Sequence, residues 1–196
     1  MTALLAILRP LGFVNTHLLR IGRGIGAVAI ALMVIAILVQ VVFRYGFNNA
    51  LPWPDEAARF CMLWMTGLMA PTAFRRGGFV AIDMLRHALP ARIGDALYLV
   101  LLLVSLLVLV VAVDIGWGEV TGFGGRFKTA ALYITTDTTF ENWYRVPRSW
   151  MMMSLFVGVC LLTMVCVELI LRSMASLLGA GERLPPIPDS DTVGAE

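Results

Sequence analysis

The chain has 196 residues, of which 59% are hydrophobic and 14% are charged, and its formal net charge at pH 7 is +2. Soluble domains carry about 25% charged residues on average, so this composition excludes an ordinary soluble domain and indicates an integral membrane protein. The small net charge gives no reason to expect a nucleic-acid partner.

Residues that could bind a metal or haem are few. The cysteines, Cys61, Cys160 and Cys166, all lie in apolar stretches without a CxxC pair, which is typical of small packing residues. The only histidines are His17 and His87, and neither lies in a predicted span. A haem-binding membrane anchor needs axial ligands, usually histidine, so we predict no metal, cofactor or catalytic site.

The amino-terminal segment is apolar but interrupted. Residues 1–23 contain Arg9, Pro10, His17 and Arg20 and no acid, and no small-residue cleavage site follows them, so a cleavable signal peptide fits poorly. We interpret residues 1–23 as an interfacial segment that lies on the membrane surface. A disordered tail is the alternative.

The first predicted span covers residues 24–42, which supply the roughly 20 apolar residues that a helix needs to cross a bilayer. Gln40 is its one strongly polar side chain, and it either bonds to a neighbouring helix or reaches the interface. The turn that follows combines aromatic residues with asparagine, glycine and proline, which suits the headgroup region.

The second predicted span, residues 54–74, opens with charges. Asp55 and Glu56 lie in its first turn and Arg59 follows one turn later, so the apolar part is too short to face lipid on all sides. Asp55 and Glu56 are also ordinary helix-start residues, because the helix dipole favours anions in the first turn. Glu56 is also spaced to pair with Arg59. Trp64 lies near mid-span, where a buried indole N–H needs an acceptor, so we predict that it faces protein.

The segment of residues 75–95 is the densest basic stretch of the chain and contains a short amphipathic piece. Within it, Asp83 is either solvated or the partner of a nearby arginine. The third predicted span, residues 96–113, is the most apolar run and is typical of a lipid-facing structural helix.

A polar connection, residues 118–148, leads to the last predicted span. A connection this long usually has a role or is mobile. The fourth predicted span covers residues 147–171, with Glu168 and Arg172 one helical turn apart at its exit.

Basic residues set the predicted orientation. They concentrate in the amino-terminal segment and in residues 75–95, so both termini and that loop should be cytoplasmic, while the first turn and the third connection should face the periplasm or exterior. The predicted fold is all-α and integral to the membrane. It has four transmembrane helices within residues 24–174, short amphipathic surface segments, and a disordered cytoplasmic tail over residues 175–196.

The predicted spans contain little that could do chemistry or carry a polar solute. The sequence has no nucleophile–base set, no phosphate-binding glycine loop, no metal-ligand spacing and no paired intramembrane carboxylates. Transport routes for polar solutes generally need ionisable groups inside the membrane. A non-enzymatic accessory subunit of a transporter is therefore the better interpretation. The alternatives are a self-sufficient small homo-oligomeric transporter and the membrane anchor of a redox enzyme.

Spaced residues between positions 40 and 90 carry a family resemblance. They are the run RYGFNNALPWPDE at residues 44–56, Trp64 and Gly67, the run RRGGFVAID at residues 75–83, and Leu89 with Pro90. This pattern resembles the small membrane subunit of tripartite ATP-independent periplasmic (TRAP) transporters, the DctQ-like family. The residues that fit the family's motif positions are Arg44, Tyr45, Asn49, Trp53, Glu56 and Trp64. Where the family often has Gly-Gly-His-x-x-x-Asp, this chain keeps Gly77, Gly78 and Asp83 but has Phe79 in place of the histidine.

The resemblance implies partners and a location. It implies a multi-pass protein of the bacterial inner membrane that pairs with a larger DctM-like membrane subunit, which moves the solute with an ion gradient. A DctP-like periplasmic solute-binding protein would deliver organic acids, and membrane lipids would surround the complex. The small subunit would be a stationary scaffold for the larger one.

The resemblance also implies a subunit interface. Arg44 would meet Glu56 or an acid of the large subunit, and Trp53 and Trp64 would be anchors. The candidate interface residues are Arg44, Tyr45, Asn49, Trp53, Glu56, Arg59, Trp64 and Asp83.

Overall fold

A computed structural model of the chain describes residues 2–76, 91–135 and 143–177. Its helices are α1 (Thr2–Gly46), α2 (Trp53–Arg75), α3 (Ala91–Thr121) and α4 (Ser149–Leu177). Between α3 and α4 lie a 3-10 turn (Gly124–Arg126) and an antiparallel hairpin of β1 (Lys128–Thr135) and β2 (Trp143–Pro147). The all-helical prediction is confirmed for the described bundle, with this small sheet as an addition.

Length and composition make α1, α3 and α4 candidate membrane spans. In the described ranges, the helical stretches long and apolar enough to cross a membrane are Leu8–Gly46, Ile93–Thr121 and Ser149–Leu177. Helix α2 is not among them because charged residues occupy its first two turns and its last turn. The second predicted span, residues 54–74, therefore stays a prediction, although the 23 residues of α2 would reach about 34 Å at 1.5 Å per residue.

Successive helices run in opposite directions, with α1 packed on α2, α2 on α4, and α4 on α3. We call the end where α1 and α3 begin and α2 and α4 end the basal end, and the opposite end the hairpin end. Contacts between Asn15 and Glu168, Arg75 and Glu168, and Ser176 and Asp95 hold the basal end together. The central apolar cluster consists of Leu19, Leu102, Val165, Cys166, Leu169 and Ile170.

Two glycines let α2 and α4 touch through their backbones. A Cβ atom on Gly67 would overlap the carbonyl oxygen of Ser154, and one on Gly158 would lie 2.7 Å from the Cα atom of Gly67. Small residues at such a crossing allow close helix approach inside a bilayer. This contact fixes α2 along the middle of α4.

The amino-terminal segment differs from its sequence-based description. Helix α1 is continuous from Thr2 to Gly46 and passes through Pro10 without a break at residue 23. Its 45 residues reach about 68 Å, roughly twice the thickness of a bilayer core. Gly12 and Asn15 are buried against α2 and α4, and this packing supports the helix where the sequence alone suggested an interruption. The position of residues 1–23 relative to the membrane surface stays a prediction.

Other predicted boundaries also shift. The connection of residues 118–148 is not a plain loop, because it contains the end of α3 and the hairpin. Arg75 is not a loop residue, because it is the last residue of α2 and is buried. Residues 175–177 belong to α4, and the rest of the predicted tail, together with residues 77–90, lies outside the described residues.

Candidate functional site

Glu56 tethers the hairpin to the start of α2. Its Oε1 atom accepts a hydrogen bond from the backbone N–H of Ala130 at 2.8 Å, and its Oε2 atom accepts one from the N–H of Ala131. These consecutive amides lie where the β1–β2 register is irregular, between the paired positions Lys128 and Tyr133. Successive N–H groups that point at one spot form a concave anion site, which the Glu56 carboxylate occupies.

The predicted pairing of Glu56 with Arg59 is wrong, whereas the alternative that Arg44 meets an acid of the large subunit stays a prediction. Arg59 pairs instead with Asp55, at 3.1 Å and one turn away, with side chains 69% and 59% exposed. In the described part of the chain Glu56 makes no ion pair with Arg44, because its oxygens face β1. An exposed pair such as Asp55–Arg59 contributes only about 0.3–0.5 kcal/mol to helix stability.

The predicted interface residues do not converge on one site. Arg44, Tyr45 and Asn49 are exposed at the end of α1 and in the turn, with the Arg44 guanidinium carbon 5.9 Å from the centre of the Tyr45 ring. The backbone N–H of Asn49 donates to the carbonyl of Phe43 at 3.1 Å and closes the turn. Asp83 lies outside the described residues.

The two tryptophans occupy different environments. Trp53 is 43% exposed and lines a groove of about 690 Å³ with Pro52 and the β1 residues Ala130 to Tyr133. Trp64 is half-buried beside Phe60, with ring centres 6.3 Å apart. The indole N–H of Trp64 is buried and has no acceptor within the described residues.

A buried ion cluster at the basal end was missed by sequence reasoning. The Oε1 atom of Glu168 accepts from Arg75 Nη2 at 2.7 Å and from Arg172 Nε at 3.0 Å, and its Oε2 atom accepts from Asn15 Nδ2 at 2.8 Å. The side chains of Arg75 and Glu168 are only 5% and 0% exposed. We call Asn15, Arg75, Glu168 and Arg172 the basal ion cluster.

Additional bonds attach this cluster to α1. Arg75 Nη1 donates to Thr16 Oγ1 at 2.8 Å, and Arg75 Nη2 donates to the Gly12 carbonyl at 3.2 Å. A Cβ atom on Gly12 would lie 3.3 Å from Glu168 Oε1, so glycine gives the carboxylate room. The cluster therefore joins α1, α2 and α4 at one point.

A sequence signal for the cluster did exist. Glu168 is flanked by apolar residues on both sides in VCVELILR, and a lone acid there needs a partner. The spacing of Glu168 and Arg172, one helical turn apart, agrees with the ion pair between them in the structure. The partnership with Arg75 joins residues 93 positions apart and could not be derived from spacing.

The geometry of the basal ion cluster indicates a structural role, in which it holds helices together, rather than a catalytic one. Each oxygen of Glu168 already accepts a hydrogen bond, so the carboxylate is held by fixed donors. In the described ranges no group of three or more His, Cys, Asp or Glu side chains is placed to hold a metal ion.

Comparisons with known proteins agree with this architecture. The family model of tripartite ATP-independent periplasmic transporters, DctQ component, matches residues 33–176. A curated relative from Haemophilus influenzae, assigned as a TRAP transporter small permease protein, is 36% identical over 61 residues. That alignment covers 31% of this chain and 38% of the relative, so the chain spans well under half of the relative's length.

No solved structure matches the chain. The family match covers most of the chain and includes α2, α3, the hairpin and nearly all of α4. The resemblance seen in the sequence is thus confirmed over a much longer range than its motifs. The chain belongs to the DctQ family, the DctQ components of tripartite ATP-independent periplasmic transporters.

Proposed function

We propose that this TRAP small subunit is a non-enzymatic scaffold that grips the large, DctM-like membrane subunit through the exposed face of α2. The large subunit would carry the solute with the ion gradient, and a DctP-like periplasmic protein would deliver it. The complex would lie in the bacterial inner membrane with the basal end, including both termini, in the cytoplasm. Helix α2 would also cross the membrane, in addition to α1, α3 and α4.

The observation that carries the proposal is the composition of this face. The exposed side chains of α2 after Trp53 are Asp55, Arg59, Met62, Thr66 and Ala73. Their spacing places them on one side of the helix. None is a leucine, isoleucine, valine or phenylalanine.

The exposed faces of α1 and α3 have the opposite character. On α3 the exposed residues of the central turns are aliphatic, including Val100, Leu103, Val104, Leu107 and Val108. Such side chains suit lipid tails, whereas small and polar residues in a membrane helix favour contact with another helix. The contrast within one bundle supports α2 as the face that a protein partner covers.

Contacts on the opposite side of α2 support the same arrangement. The crossing of Gly67 with Gly158 fixes the helix on α4, and Glu56 fixes its start to the hairpin. Because α2 is fixed at its start and at its middle, its exposed face has a defined position on the bundle. The proposed large-subunit contacts are then Arg59 and the small or flexible residues that follow it, with Arg44, Tyr45, Asn49 and Trp53 at the same end of the bundle. Trp64 lies on the other side of α2 from this face.

A bulky side chain in the proposed interface gives the test. Thr66 is exposed on α2, and its hydroxyl is satisfied by the Met62 carbonyl at 2.9 Å, so Thr66→Trp should leave the bundle intact. Overfilling a packed contact costs about 1–3 kcal/mol, which corresponds to association weaker by about 5-fold to 150-fold. The measurement is the amount of large subunit that co-purifies with a tag on this chain.

The matched control is Val108→Trp on the exposed face of α3, where Val108 is 59% exposed. With the control, the amount of co-purified large subunit should stay within about twofold of the amount for the unaltered chain, because lipid accommodates the new ring. Equal recovery for Thr66→Trp and Val108→Trp, or a larger loss for the control, would contradict the proposal. Solute uptake by the purified chain alone in liposomes would favour the self-sufficient transporter instead.

A further inference from the structure

A cleft at the hairpin end contains unpaired positive charge. It has a volume of about 420 Å³ and lies between the first turns of α2, the hairpin and the first turn of α4. Arg59, Lys128 and Arg148 line it, each from a different segment. We call it the cationic cleft.

Backbone pairing brings two of these cations together. Lys128 is opposite Pro147 in the hairpin ladder, and the N–H of Arg148 donates to the carbonyl of Phe127 at 2.8 Å. Both side chains are exposed, and neither has an ion-pair or hydrogen-bond partner among the described residues. Like charges held side by side repel each other unless an anion lies between them.

The acids beside the cleft are already engaged. The Glu56 carboxylate lines the cleft but accepts from the amides of Ala130 and Ala131. Asp55 is bonded to Arg59, which leaves Lys128 and Arg148 as the cations available for an external anion. The nearest charges thus favour a negatively charged ligand.

The other walls of the cleft are apolar. Leu63, Met151 and Met152 line it on the α2 and α4 sides. Met152 also lines a second, mainly apolar cleft of about 230 Å³ between α3 and α4. Its other residues include Ile115, Leu155 and Phe156, together with the acid Glu119. A cationic cleft that shares a wall residue with an apolar cleft matches a molecule with an anionic head and a hydrocarbon chain.

The position along the bundle indicates the source of that molecule. Arg148 immediately precedes α4, and the cleft begins where the apolar helices α3 and α4 reach their polar ends. Exposed aromatic side chains at the same end, among them Phe123, Phe127 and Trp150, are typical of the headgroup region. We propose that the cationic cleft binds the phosphate of an anionic phospholipid through Lys128 and Arg148, with acyl carbon along Leu63 and Met152.

Native mass spectrometry of the purified full chain tests this proposal. The chain in non-ionic detergent is titrated with phosphatidylglycerol, with phosphatidylcholine, and with glycerol 3-phosphate, which carries the phosphate without acyl chains. We expect phosphatidylglycerol to bind more tightly than either of the others. A basic residue near an anionic headgroup changes the affinity by about fivefold, so Lys128→Gln and Arg148→Gln should each weaken phosphatidylglycerol binding by about that factor.

The matched control is Arg126→Gln, which removes an exposed cation of the 3-10 turn that does not line the cleft. It should change binding by less than about twofold, and Lys128→Arg should retain binding. Circular dichroism of each variant shows that the helices are intact. Equal binding of phosphatidylcholine, equal binding of glycerol 3-phosphate, or an equal loss in Arg126→Gln would overturn the proposal. The experiment needs no large subunit, so its outcome is independent of the proposed scaffold function.

Discussion

Removing the carboxylate of Glu168 should destabilise the bundle more than any surface charge change. In Glu168→Leu the side chain of Arg75, only 5% exposed, loses its anion. It keeps hydrogen bonds to Thr16 and to the Gly12 carbonyl, but neither of these acceptors is charged. Arg172 is 12% exposed and can turn toward water.

The magnitude follows from the partners that are lost. Breaking a buried ion pair by removing one member costs about 3–5 kcal/mol, because an uncompensated charge stays buried. Because Arg75 keeps two neutral acceptors, we expect Glu168→Leu to lower the free energy of unfolding by about 3 kcal/mol, the lower limit of that range. Glu168→Leu combined with Arg75→Met removes the orphaned charge, so the double variant should recover about 1 kcal/mol or more relative to Glu168→Leu alone.

The assay is unfolding in mixed micelles with increasing sodium dodecyl sulfate, followed by tryptophan fluorescence. The control is Arg59→Ala, which breaks only the exposed pair with Asp55 and should cost no more than about 0.5 kcal/mol. A loss below about 1 kcal/mol for Glu168→Leu would refute the reasoning. So would a double variant that is less stable than Glu168→Leu.

Three further predictions follow from other contacts. Gly67→Ala should cost about 1–3 kcal/mol in the same unfolding assay, because the new Cβ overlaps the Ser154 carbonyl, whereas Gly24→Ala, with nothing within 4 Å, should be neutral or slightly stabilising. Glu56→Ala should speed hydrogen exchange at the Ala130 and Ala131 amides while leaving exchange in α4 unchanged, and unaltered exchange at both amides would contradict the tether. Asn15→Ala should cost about 1–2 kcal/mol, because Glu168 Oε2 loses its donor, and a neutral result would show that another donor replaces it.

The helices were predictable because hydropathy is a local property. The spans over residues 24–42 and 96–113 fall inside α1 and α3, which extend beyond the predicted limits at both ends. The span over residues 147–171 overlaps α4, which begins two residues later, at Ser149, and continues to Leu177. The extensions arise because apolar content marks only the part of a helix inside the bilayer. Polar turns of the same helix, such as the end of α3, continue outside it.

The missed features depend on contacts between distant residues. Glu56 bonds to amides 74 and 75 positions away, and Glu168 bonds to Asn15 153 positions away. No spacing rule relates such positions, so the sequence offered only near neighbours, such as Arg59, as partners for Glu56. The hairpin was missed for a similar reason, because two short strands that form a separate ribbon carry little local pattern.

The family motif located the right region but not its internal contacts. The motif run at residues 44–56 contains Glu56, whose carboxylate holds the hairpin to the start of α2. Its partner is the backbone of β1 rather than Arg44 or Arg59. Two convergent amides offer a carboxylate a fixed site, whereas an arginine side chain loses rotamer entropy when it is held in one position.

Cross-linking from α2 tests the central claim most directly. A photoreactive amino acid at Thr66 on α2, and in a second variant at Val108 on α3, would be activated in membranes that also contain the large subunit. The scaffold function predicts a covalent product with the large subunit from Thr66 and only lipid or background products from Val108. A product with the large subunit from Val108 and none from Thr66 would contradict it.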